Sequence, residues 1–208
     1  GNFIHHPNLA RTKSVRSAEE VRQLIPGRLA GLAMSSAHRS NSEEKDMSSN
    51  LSGRCLCGNV TYDTGSEPLW VTVCYCRFCQ RATGSDRMIE PIFERDSFAF
   101  SGSGPKVYTL PSDGSGKDVN VHFCSNCGTK LALTFERWPD RIGIYIGTLD
   151  DPMSITATVE NTKHIFVSEA RSGTILPAGF RTFDRHATEN DGTPIESTVY
   201  SAPSIVGS

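Results

Sequence analysis

Seven cysteines carry the chemistry open to this sequence, and they fall into three clusters. Cys55 and Cys57 lie in "GRCLCGNVTY", Cys74, Cys76 and Cys79 in "CYCRFC", and Cys124 and Cys127 in "VHFCSNCGTKL". An odd number cannot all pair, and no disulfide framework needs three cysteines within six residues. The spacings C-x-C, C-x-C-x-x-C and C-x-x-C read as soft-metal ligation by thiolates in a reducing compartment.

If residues 55 to 57 continue a strand, Cys55 and Cys57 present both sulfurs to one side, and Gly58 lets the chain turn away. "CSNCG" has the form of a zinc knuckle, two cysteines around a tight turn and a glycine able to take a positive φ. Two such half-sites make one closed tetrahedral site with Zn–S bonds near 2.3 Å, which ties the start of the domain to its middle. Cys74, Cys76 and Cys79 then form a triad around a second metal whose fourth position is open, the mark of catalytic zinc. Spacing alone does not force this division. Cys76 and Cys79 could instead join Cys124 and Cys127 as a zinc ribbon, and the arithmetic stays four plus three.

Three thiolates on Zn²⁺ leave a unit charge near −1, which blunts its power to acidify water compared with a site of neutral histidines. A soft thiol is the better fourth ligand, held as the nucleophilic thiolate at neutral pH.

Short strands must position these sulfurs. From residue 51 the segments "NVTYDT", "WVTVCY", "MIEPIFE", "SFAFSG", "KVYTL", "VNVHFC", "KLALTF", "RIGIYIGTL", "ITATVEN" and "HIFVSE" alternate with Gly, Pro, Ser or Asp, and no long helix interrupts them. The pattern predicts a mainly β, antiparallel domain over residues 51–170. Residues 171–208, rich in Pro, Gly and Ser, read as an irregular tail covering it. Residues 1–50 read as an extension or processed leader, with the natural start at Met34 or Met47. They hold one short helix, from a capping box of Ser17 and Glu20 through Val21, Leu24 and Ile25 to the stop at Pro26-Gly27.

The chain has 208 residues, 37% apolar and 21% charged, enough for one good core. A net charge of −2 gives no global attraction for phosphate, so nucleic acid is not an expected partner. No apolar run approaches the roughly 20 residues that span a bilayer, and the N-terminus lacks a secretory apolar stretch. A cytoplasmic location fits the thiols. The sequon at Asn59 argues the same way, since a glycan there would crowd Cys57.

The segments "GRCLCGNVTY", "CYCRFCQRATGS", "HFCSNCGT" and "GTLDDP", in that order, resemble the glutathione-dependent formaldehyde-activating family, whose domain is shared with centromere protein V. The resemblance covers residues 53 to about 170 and places all seven cysteines. It implies a β-tent fold, a structural zinc on Cys55, Cys57, Cys124 and Cys127, and a second, exchangeable zinc on Cys74, Cys76 and Cys79. It also implies a carbon–sulfur lyase that interconverts glutathione and formaldehyde with S-hydroxymethylglutathione. Tyr75, where the family commonly has His, and "SDRMIEP" after Gly84, where an aromatic is usual, depart from the pattern and bear on the substrate pocket.

Arg81, Thr83 and Ser85 after the triad are candidates to contact a substrate carboxylate, against the plainer role of satisfying local backbone. His122 and His164 are ordinary strand histidines unless they support a thiolate. Trp70 and Phe78 either wall a pocket or pack a core. "GSGPK" and "GSGKD" lack a complete Walker pattern and read as hairpin loops. Two functions follow: an enzyme acting on a small thiol and a small aldehyde, or a zinc module that binds a protein or nucleic acid.

Overall fold

The computed structural model describes residues 50–151 and 153–207. The expected helix at residues 17–25 lies outside them. Strands β1 (Ser52–Arg54), β2 (Val60–Thr64) and β5 (Phe98–Gly102) form a three-stranded sheet in the order β1-β2-β5. The large sheet uses β3 (Trp70–Cys74), β4 (Met88–Glu94), β6 (Lys106–Pro111), β7 (Asp118–Phe123), β8 (Lys130–Phe135), β9 (Arg141–Ile144), β10 (Thr162–Ile165), β12 (Arg181–Thr182) and β13 (Thr198–Val199). Its order is β13-β12-β10-β3-β4-β9-β8-β7-β6. A small ribbon pairs β11 (Ile175–Leu176) with β14 (Ser204–Ile205).

The protein is mainly β, as the short Val-, Ile- and Thr-rich runs predict, with one departure from antiparallel pairing. Strand β10 pairs parallel with both β3 and β12, because the chain returns from β9 through a long connection before joining the other side of β3. The run "ITATVEN" is a turn, and the strand starts after it. Asn161 caps that turn by accepting the Thr158 N–H at 2.9 Å, and the Thr162 N–H donates to the Thr158 carbonyl at 3.0 Å.

Strand β9 also ends earlier than its apolar run. Thr148 folds the chain into a 3₁₀ turn by donating both its N–H and its hydroxyl to the Tyr145 carbonyl, each at 2.8 Å.

Alternation gives the large sheet two different faces. Val71, Phe93, Ala132, Ile142 and Ile144 point to one, where they meet Val60 and Tyr62 of the small sheet together with Cys55 and Cys124. Cys74, Met88, Leu133, Tyr145 and Ile165 point to the other and form a second cluster with Cys79, Phe183 and Ala187. Each cysteine group is thus rooted in its own apolar cluster.

On the first face His164 is 6% exposed and its Nδ1 lies 3.1 Å from the Tyr75 hydroxyl. Burial, then the Arg87 charge, holds its pKa down to about 4. The unfolded chain takes up this proton near pH 6.5 and the native chain only near 4, so the stability that neutral His164 contributes is present above about pH 6.5 and is lost as pH falls toward 4. Thermal melts from pH 7 to 4.5 should show Tm falling, and His164→Gln should flatten the acid side of that profile; an unchanged profile would show that His164 is not the group responsible.

Candidate metal centre

The first cysteine group is built by two turns, not by strand alternation. Strand β1 stops at Arg54, and the chain turns back at once, with the Gly58 N–H donating to the Cys55 carbonyl at 3.0 Å. The second turn repeats the device, the Gly128 N–H donating to the Cys124 carbonyl at 2.9 Å. Gly58 at φ 74° and Gly128 at φ 75° are left-handed, which a side chain would oppose at both turns.

Cys55, Cys57, Cys124 and Cys127 come together with all four sulfurs within 4.8 Å of one another. The Cys55–Cys57 and Cys57–Cys124 sulfurs are 3.5 and 3.7 Å apart. Both are far beyond a disulfide bond of about 2.05 Å. They match the edge of about 3.8 Å expected of a tetrahedron with Zn–S bonds of about 2.3 Å. The Val60 N–H donates to the Cys55 sulfur at 3.3 Å, and the Thr129 hydroxyl lies 3.1 Å from the Cys127 sulfur, so polar hydrogens already face the sulfurs as thiolates require. This donor set fits zinc.

The second group also lies within 4.8 Å, Cys74 and Cys79 buried and Cys76 half-buried. It stands where β3 ends and a helix begins. Helix α1 (Arg77–Thr83), too short for the sequence pattern to reveal, takes Cys76 as its N-cap, whose sulfur accepts the Cys79 N–H at 3.4 Å. Its one legible signal is Gly84, which closes the helix in the left-handed region at φ 66°. The sulfurs of Cys74 and Cys79 draw the Cys76 thiol down to about 3.

Buried Gln80 anchors the helix, donating to the carbonyls of Tyr75 at 2.6 Å and Glu169 at 3.0 Å. Thr83 serves local backbone, its hydroxyl donating to the Cys79 carbonyl at 2.7 Å and accepting the Ser85 N–H at 3.2 Å. Arg81 and Ser85 are exposed. Phe78 packs against the triad's cluster, and Trp70 lies under the Lys163 ammonium at 4.8 Å. His122 stacks on Phe100 and lies 2.9 Å from the Thr134 hydroxyl.

Two residues near the triad escape a reading by motif. Glu90 pairs across the sheet with Thr72 and points to the triad's face, 7% exposed. Burial, then the charge of Cys76, push its pKa up to about 8, with Lys163 opposing. Tyr145, 8% exposed, is raised by burial and then by the charges of Glu90 and Cys79. Glu90 was visible as the one acid at an inward position of "MIEPIFE"; Tyr145 had no such signal.

A match to the model of the glutathione-dependent formaldehyde-activating enzyme family spans residues 50–169, more than half of the chain. The chain belongs to this family. It is 28% identical over 106 residues to a Halomonas elongata protein whose own assignment as a glutathione-dependent formaldehyde-activating enzyme is provisional, covering 50% of this chain and 68% of that one. A crystal structure of a Rhodobacter sphaeroides protein aligns at 19% identity with a TM-score of 0.37, over 48% of this chain and 87% of that one. Phe183 and Ala187, buried with the triad, lie beyond the matched residues.

Among the described residues no helix is long and apolar enough to cross a membrane. If the four-cysteine group is structural and the triad is not, Cys55→Ser or Cys127→Ser should lower Tm by more than about 10 °C, whereas Cys76→Ser should shift it by only a few degrees. Equal losses in the two sets, measured by calorimetry on the metal-loaded protein, would give both groups the same structural role.

Proposed function

We propose that the protein is a zinc-dependent carbon–sulfur lyase that joins the thiol of glutathione to formaldehyde, giving S-hydroxymethylglutathione, and runs the reverse cleavage. The observation that carries this reading is the unequal pair of sulfur groups, one with four cysteines and one with three. In the proposal Cys55, Cys57, Cys124 and Cys127 hold a structural zinc, and Cys74, Cys76 and Cys79 hold a second. Zinc on the triad would supply a soft, open position that favours a substrate sulfur as thiolate.

The chain's own residues do the rest. A cleft of about 560 Å³ opens beside the helix, lined by Thr83, Ser85, Arg87, Lys130, Tyr145 and Gly147. Its volume lies in the range of small-molecule sites. Arg87 and Lys130 complement the two carboxylates of a tripeptide such as glutathione, and Arg87 already forms an ion pair with Asp86 at 3.0 Å. Tyr145 and Met88 belong both to this cleft and to the cluster around the triad, so the cleft adjoins the residues packed on the sulfurs. The apolar ring of Phe78, Phe135, Phe166 and Phe183 limits water at the reacting carbon. Phe166, in the left-handed region at φ 57°, turns the chain so that its ring joins this wall.

Exchange spectroscopy by nuclear magnetic resonance on glutathione with formaldehyde should show faster adduct formation when the protein is added, and Cys76→Ser should abolish the acceleration. S-Methylglutathione, whose sulfur cannot become a thiolate, should bind at least tenfold more weakly than glutathione. An exchange rate indifferent to the protein would favour a binding module instead.

A further inference from the structure

Glu90 and Tyr145 share an anomaly. Both are more than nine-tenths buried, yet the Glu90 Oε1 and the Tyr145 hydroxyl have no hydrogen-bond partner, and they are the two buried side-chain oxygens or nitrogens among the described residues in this condition. Leaving a buried polar atom unpaired costs about 1–3 kcal/mol, so each is retained against a standing penalty.

The sheet brings them together. The Glu90 side chain reaches across β4 to lie over Gly143 of β9, where a Cβ would stand 2.0 Å from Oε1 and 2.7 Å from Cγ. Glycine at this position is what lets the carboxyl lie there. Tyr145 follows Gly143 by two residues and therefore projects to the same face. On that face it packs in one cluster with Cys74, Cys79 and Met88, and Met88 is the cross-strand partner of Cys74. Both unpartnered oxygens thus lie on the triad's face of the sheet, and Tyr145 also lines the cleft.

We infer that the Glu90 carboxyl and the Tyr145 hydroxyl are a two-point clamp for the oxygen of the thiol–carbonyl adduct. The inference rests on the lyase reading and names the residues that recognise the small carbonyl partner. In the addition, the sulfur lone pair forms the new C–S bond, the C=O π pair moves onto oxygen, and the proton lost by the thiol ends on that oxygen, so nothing else is consumed. Tyr145 donates to the oxygen, and Glu90 accepts from the hydroxyl once it has formed. Each partner that the substrate brings satisfies a group that is unsatisfied without it. The clamp therefore favours the adduct over the bare thiol and a hydroxyl-bearing carbon over an alkyl one.

The test uses the full chain loaded with zinc and calorimetric titration with glutathione alone and with glutathione in excess formaldehyde, where the adduct prevails. The protein should bind the adduct more tightly than glutathione. Tyr145→Phe and Glu90→Gln should each cut adduct affinity roughly 3- to 10-fold, the worth of one net hydrogen bond, and cut glutathione affinity by less, so that the preference for the adduct shrinks. Tm should hold or rise in Tyr145→Phe, because the hydroxyl removed makes no bond within the protein. A preference for the adduct that survives in both variants would overturn the clamp while leaving the lyase reading standing. A parallel loss for both ligands with a lower Tm would also overturn it, by giving the two residues a packing role. Failure of the unmodified protein to bind either ligand would sink the lyase reading and the clamp with it.

Discussion

Sulfur held close to sulfur is the constraint on which the rest of the structure depends. Thiolates at 3.5 to 3.7 Å repel one another, and thiols at that distance gain little, so the first group is suited to hold a cation. A cation bound there would offset the closure of a loop of 67 residues between Cys57 and Cys124. Much of the sheet lies inside that loop, including β3, β4 and the triad itself. A metal on the first group would thus hold the frame in which the second is displayed.

The two faces of the large sheet separate these tasks. The face carrying Cys55 and Cys124 packs a mostly apolar cluster against a second sheet, a setting for stability. The opposite face mixes aromatic rings with Glu90, Lys163 and the triad, and its buried acid and tyrosine lack partners. A core built only for stability would have replaced such groups with apolar ones, so their retention points to binding.

Much of this was legible in the residue order, because ligand chemistry is local and strands announce themselves by alternation. The seven cysteines and the span of β4 could be read directly, since "CSNCG" is a turn by composition and "MIEPIFE" is bounded by polar residues. What could not be read depended on contacts distant in sequence or on short-range polar competition. The parallel seat of β10 beside β3 is a tertiary choice, and the turn at Asn161 is won by one side-chain amide over the β-propensity of "ITATVEN". Tyr145 reads as an ordinary strand aromatic until the fold sets it beside Cys74 and Glu90. Residues 171–207 look irregular in sequence, yet Phe183 and Ala187 close the triad's cluster.

The claim that one sulfur group is closed and the other open is tested most directly by zinc K-edge X-ray absorption of the metal-loaded chain, before and after glutathione is added. The account predicts mixed coordination at first, sulfur together with a lighter atom, and sulfur alone once the thiol is present. All-sulfur coordination from the outset, unchanged by glutathione, would mean that no position is open, and would contradict it.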